Sequence, residues 1–241
     1  VHRKEIDMPI YSMEQARTQA AVSDFIRGVY NWMGIGLVLT AVTAMMVASN
    51  TTLLQLIFGN RLIFFGLIIA ELALVFSISA RVRRMQASTA TALFVLYAIL
   101  NGATLSVIFL AYTKAVIANT FFVCAGMFIA TSVYAMTTKR DLSAWGSFLF
   151  MGLIGIIIAS VVNLFVRSSA MTMMVSYLGV IVFVGLTAYD TQKLKAMAAG
   201  ELAVSGAELA RKGAIIGALA LYLDFVNLFL MLLRIFGGSR E

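Results

Sequence analysis

GALALYLDFVNLFLMLLRIFG, residues 217–237, is the stretch that decides the fold. It is apolar for about the 20 residues that a helix needs to cross a bilayer, yet it carries Asp224 and Asn227 near its middle. A strand of a membrane barrel would alternate apolar and polar residues, and this run does not. A carboxylate at bilayer depth costs about 2.5–3.5 kcal/mol on insertion scales, so such a residue faces other helices and not lipid. Asp224 and Asn227 are three apart and share a helix face. Gly213 and Gly217 precede them on the same helix, at the spacing that lets a neighbouring helix approach closely. A span with this polar stripe is predicted to be the one the others surround.

The rest of the chain agrees. Of 241 residues, 61% are apolar and 12% charged, and the mean hydropathy is +0.96. An ordinary soluble domain is roughly half apolar and about a quarter charged, so a soluble fold is excluded. Disorder needs the opposite composition. One proline and one cysteine exclude collagen-like and disulfide-framework proteins. Six further apolar runs precede residues 214–236: 32–50, opened by WMGIGLVLT, then 62–80, 89–112, 120–138, 145–166 and 173–192. The expected architecture is all-α, a polytopic seven-transmembrane-helix bundle (32–236) with the last helix central. Residues 1–31 are expected to form a polar cytoplasmic leader, too hydrophilic for a signal peptide, and 237–241 a short tail. The first residue is Val1 in place of Met, which points to an alternative start codon or trimming.

Lys and Arg collect on the cytoplasmic side of membrane proteins. With the N-terminus inside, thirteen basic residues fall there: Arg3, Lys4, Arg17, Arg27, Arg81, Arg83, Arg84, Lys139, Arg140, Lys193, Lys195, Arg211 and Lys212. Five fall outside: Arg61, Lys114, Arg167, Arg234 and Arg240. The N-terminus is therefore expected in the cytoplasm. The net charge of +7 is then an orientation signal with affinity for anionic lipid headgroups. No basic helix or aromatic-basic platform suits nucleic acid.

Eight of the eleven acids lie in loops or tails; the exceptions are Glu71, Asp190 and Asp224. Glu71 sits inside LIIAELALV (67–75), where it is either a functional acid or a hydrogen-bonded or salt-bridged structural one. Asp190 lies near the cytoplasmic end of its span and has a plainer reading as an interfacial acid offset by Lys193 and Lys195. If the sixth helix continues past Gln192 to about Met197, Asp190 and Asp224 reach the same half of the bundle. Two carboxylates in a low-dielectric site do not both ionise readily, so they share one proton. A shared proton closes the pair with a short hydrogen bond, and its loss leaves repulsion or a cation site. Asn101 and Asn163 read as interhelical hydrogen bonding, and Cys124 as packing.

VIVFVGLTAYDTQKLK (180–195), the opening stretch and AMTTKRDLSAWGSFLFMGLIGIIIASVVN (135–163) resemble the Bax inhibitor-1, or transmembrane Bax-inhibitor-motif, family, in its bacterial inner-membrane branch. The resemblance implies seven helices with the last one central, and a pH-sensitive calcium leak channel gated by two aspartates, which match Asp190 and Asp224. It implies that these two would touch calcium in transit, with no resident cofactor. It places a second-helix glutamate, matching Glu71, on the pore path, which Asn227 would share. It also implies an arginine latch on the sixth-helix aspartate, and Arg81, Arg83 and Arg84 all qualify. Relatives are linked as well to regulation through a partner such as a membrane protease, a second reading in which the chain docks on another integral protein.

An enzyme is not expected. Tyr189-Asp190 reproduces the YD pair of intramembrane aspartyl proteases, but LYLD (221–224) stands where those enzymes carry GxGD, and the only proline is Pro9. The only histidine, His2, lies in the leader, and no HExxH is present.

Overall fold

A computed structural model describes the backbone of residues 4–82, 84–200 and 207–238, with side chains from residue 19 onward except 207. All regular structure among them is helical: α1 (Lys4–Ala48), α2 (Thr51–Phe58), α3 (Arg61–Arg81), α4 (Ala87–Leu105), α5 (Ile108–Ala111), α6 (Lys114–Thr137), α7 (Ser143–Val166), α8 (Ser169–Ala199) and α9 (Ala207–Gly237). Seven are long and apolar enough to cross a membrane, with α4 and α5 counted as one span. Arg83, the tail beyond Gly238 and the side chains of the leader up to residue 18 lie outside the described residues.

A bilayer has no water to satisfy backbone groups, so each turn must pair its own. Asn50 accepts from the amides of Thr52 and Leu53 at 3.0 and 3.2 Å. Asn60 accepts from Leu62 N at 2.9 Å. Arg167 adopts a left-handed conformation, φ 54°, that ends α7. There Asn163 accepts from Ser168 N at 2.9 Å and donates to Thr172 Oγ1 at 2.6 Å, closing the α7–α8 hairpin. The third span breaks after Leu105, where the Ser106 hydroxyl takes the Ala103 carbonyl at 2.7 Å, a local bond that competes with the helix ladder.

The last span is the core. In its most apolar window 72% of residues are buried, against 6% for the second span. Around α9 pack α8, α1, α6, α4 and α3, while α7 is held chiefly by α8. At 30 residues the last span is one unbroken helix of about 44 Å, long enough to cross a bilayer.

The start of the first span differs from expectation. The helix runs unbroken through residue 31, and Phe25, Ile26 and Val29 are buried in the central core. This part of the leader packs into the bundle, because its few apolar residues recur at the i, i+1, i+4 positions of one helix face.

Three close approaches set the geometry. A Cβ at Gly102 would lie 2.5 Å from the Thr40 carbonyl oxygen, which brings α1 and α4 backbone to backbone. A Cβ at Gly217 would lie 2.6 Å from Leu194, and one at Gly179 would lie 2.8 Å from Met231. These last two contacts fix the antiparallel register of α8 and α9.

Candidate functional site

Interpolating between those contacts puts Thr187 of α8 opposite Asp224, with Asp190 one turn nearer the basic end of the bundle. That end carries the α3–α4 and α6–α7 turns and the ends of α8 and α9. The α8 helix does continue past Gln192, to Ala199, as an approach of the two aspartates requires. Gly179, Phe183, Thr187, Asp190 and Leu194 form one stripe on α8, and Gly217, Asp224 and Met231 form the facing stripe on α9. The register leaves the two carboxyl-bearing positions about one helical turn apart along the α8–α9 contact, and Lys193 follows Asp190 by three residues on α8.

Asp224 is 5% exposed, and its Oδ2 is buried without a hydrogen-bond partner. On α8, Thr187 donates to Phe183 O at 2.8 Å, and Thr191, one turn further on, meets Tyr30 Oη at 3.5 Å. Asn227 does not join the pair, since its Nδ2 donates to Leu223 O on its own helix at 2.8 Å.

The arginine latch is not formed by the described candidates. Neither Arg81 nor Arg84 makes an ion pair with Asp190; the one salt bridge among the described residues is Lys212 to Glu208. Arg83 lies outside the described residues. A turn at the end of α3 has to deliver a guanidinium across to α8, and residue spacing says nothing about that reach.

Glu71 belongs to a different polar group. Its carboxylate accepts from Thr104 Oγ1 and, at 3.3 Å, from Asn101 Nδ2. Asn101 Oδ1 accepts from Tyr222 Oη at 3.0 Å. That oxygen also lies 2.6 Å from Thr40 Oγ1, whose single proton is shared between Tyr222 Oη and the Ala98 carbonyl 2.9 Å away. One hydrogen-bonded chain therefore ties α3, α4, α9 and α1 together. Tyr222 precedes Asp224 by two positions, about 200° around the helix, so α9 presents this network on one side and the aspartate on the other. Glu71 is bonded as a structural acid would be, and it is not brought to the pair. Asn101 is the interhelical bridge expected of it, and Asn163 closes a turn.

Nothing local in the sequence marks Thr40, and Tyr222, two positions before Asp224, lies on a different helix face and belongs to no site that spacing predicts. Tyr222 is fully buried, its ring edge-on to Phe94 and Tyr97 with centroids 5.9 and 5.7 Å away. The available signal was the hydroxyl itself, because a buried tyrosine nearly always finds a partner. Tyr222→Phe keeps the packing and removes the bridge. It should lower stability by about 1 kcal/mol, read as a shifted unfolding midpoint in mixed micelles; an unchanged midpoint would mean the chain of bonds carries no load.

Two carboxylates supply at most four of the roughly six to eight oxygens that a resident calcium ion takes. No cluster of three or more His, Cys, Asp or Glu occurs among the described residues.

The family model described as "Inhibitor of apoptosis-promoting Bax1" matches residues 22–241, and so includes the part of the leader that carries buried Phe25, Ile26 and Val29. The chain is 54% identical over 222 residues to the Escherichia coli K12 protein named inner membrane protein YbhL, covering 92% of this chain and 94% of that one. It is 45% identical over 217 residues to an uncharacterized protein of Borreliella burgdorferi, covering 90% and 93%. It is 35% identical over 225 residues to an uncharacterized membrane protein of Streptococcus pyogenes, covering 92% and 96%.

Proposed function

The chain belongs to the Bax inhibitor family of membrane proteins, and from that premise we propose that it is a pH-sensitive cation leak channel gated by Asp190 and Asp224. Its membrane is the bacterial inner membrane, with the N-terminus in the cytoplasm, and calcium is the permeant ion. The observation that carries this reading is the buried, unpartnered Oδ2 of Asp224 on the stripe that faces Asp190.

An unpaired polar group in the middle of an apolar bundle is among the costliest features a membrane protein can keep. Its missing partner is a proton or a cation. With a proton on the pair, one negative charge remains and α8 can close against α9. Without it, two like charges share a low-dielectric site. They push the facing stripes apart or draw in a cation, and flux rises as pH rises. The side assignment rests on the thirteen basic residues at one end against five at the other. No reaction is assigned to the pair.

The test is calcium efflux from liposomes holding the purified full chain, followed across the range in which carboxylate pairs titrate. Efflux that increases with pH is the expected result. Liposomes that keep their calcium at every pH would end this reading.

A further inference from the structure

The stretch of α8 that carries Asp190 is gripped from its other side. Gln192 Oε1 accepts from Leu142 N at 2.7 Å, and its Nε2 donates to Arg140 O at 2.8 Å. One amide side chain thus pairs two backbone groups of the α6–α7 turn. Lys195 Nζ donates to Met136 O at 2.6 Å, one of the last carbonyls of α6, where a cation also meets the negative end of the helix dipole. Tyr189 packs on the first turn of α7: a Cβ at Gly146 would lie 2.5 Å from its ring. These three side chains occupy one face of α8. Asp190 lies about 160° from Gln192, measured the short way round, among the residues that face α9.

We propose that the α6–α7 turn, acting through Gln192 and Lys195, is a positioning clamp that sets the pH at which the Asp190–Asp224 pair responds. The inference rests on the gate reading above and adds to it the part of the molecule that regulates the gate. Because the clamp and the aspartate sit on opposite faces of one helix, the clamp fixes how far α8 rotates and so how closely Asp190 approaches Asp224. Interaction between two charges in a low-dielectric site depends steeply on that distance.

The turn itself does not titrate with the gate. Asp141 Oδ1 accepts from the Ser143 hydroxyl at 2.6 Å and from its amide at 2.9 Å. Those bonds hold this exposed carboxyl below its ordinary range, so it stays ionised while the gate changes state. Among the described residues, the ionisable groups at this end of the elements packed on α8 are Asp224, Arg211 and Lys212 from α9, Asp24, Arg27 and Tyr30 from α1, Tyr189, Lys193 and Lys195 from α8 itself, and Lys139, Arg140 and Asp141 from the α6–α7 turn. The buried face of α7 has no ionisable side chain, and that of α6 has only the Cys124 thiol.

The experiment uses the purified full chain and two readouts. One is the midpoint of calcium efflux against pH. The other, independent of any flux, is the pH midpoint of the infrared band of the protonated carboxyl, assigned by its loss in Asp190→Asn. Gln192→Ala and Lys195→Met remove different grips, so either one serves if the other fails to fold. Each is expected to move the infrared midpoint by about 0.5 pH units or more, with the efflux midpoint following it. Lys195→Arg keeps the donor and should restore the wild-type value. An infrared midpoint that stays in place in a folded Gln192→Ala or Lys195→Met protein overturns the clamp. Absence of efflux in the wild type, by contrast, overturns the channel reading and leaves the infrared comparison to decide the clamp.

Discussion

Asp224→Asn is expected to give a protein that folds normally and whose cation flux no longer follows pH. The amide has nearly the shape of the carboxyl but can carry no charge, so the facing stripes of α8 and α9 keep their packing while the repulsion between them disappears. Asp190 is left with Lys193 as its charged neighbour. One pH unit of coupling corresponds to about 1.4 kcal/mol, or about tenfold in a two-state equilibrium. Wild-type flux should therefore change by about tenfold or more between the protonated and deprotonated pair. In the variant the change should be less than about twofold. Efflux from proteoliposomes at the two ends of the titration measures both, and a variant that keeps the full response would remove Asp224 from the gate.

Gly102→Leu is expected to have the largest effect on folding. A single methyl at this position would already lie 2.5 Å from the Thr40 carbonyl oxygen and 2.8 Å from the Thr43 Cβ. The first obstacle is helix backbone, which cannot swing aside as a flexible side chain can. The α1 and α4 helices must move apart, and Thr40 moves with them. Its hydroxyl then loses Ala98 O, and Tyr222 loses one of its two partners. Overpacking combined with a broken polar chain should cost about 3 kcal/mol or more. The checks are the yield of monodisperse protein and the unfolding midpoint, with Gly102→Ala intermediate. Leucine accepted without change would mean that α1 and α4 are not held at this distance.

Much of this architecture can be read in the sequence because hydropathy measures the cost of placing a segment in lipid. Seven continuous apolar runs are seven such segments, and Asp224 within the last of them marks the helix that the others cover. Asp190 was legible for a local reason: KLKAMAA after Gln192 consists mostly of good helix formers, and the helix does extend to Ala199. Partner choice was not legible. Glu71 and Asp224 look alike as acids in apolar spans, yet one is bonded to Asn101 and Thr104 and the other faces α8. Which helices touch depends on close approaches such as Gly102 on Thr40, between residues far apart in the chain.

The same limit explains the leader and the latch. Phe25, Ile26 and Val29 precede the continuous apolar run that begins at Trp32, among Asp24, Arg27 and Asn31, yet they belong to the first apolar helix and are buried because α8 and α9 offer a surface for them. Arg81 and Arg84 had the right charge near the right end, but no local rule fixes the reach of a side chain across a turn. Gln192 and Lys195 looked like ordinary polar residues at a helix exit. Their role as grips on the α6–α7 turn is visible only in three dimensions.

The central claim is that Asp190 and Asp224 act as one titrating unit, and a double-mutant cycle on the pH profile of calcium efflux tests it most directly. Asp190→Asn, Asp224→Asn and the double variant are compared with the wild type in the same liposomes. If the pair is the sensor, either single substitution removes the pH response and the double variant changes nothing further, so the two effects are strongly non-additive. Two independent effects that simply add, or a pH response that survives in the double variant, would contradict it.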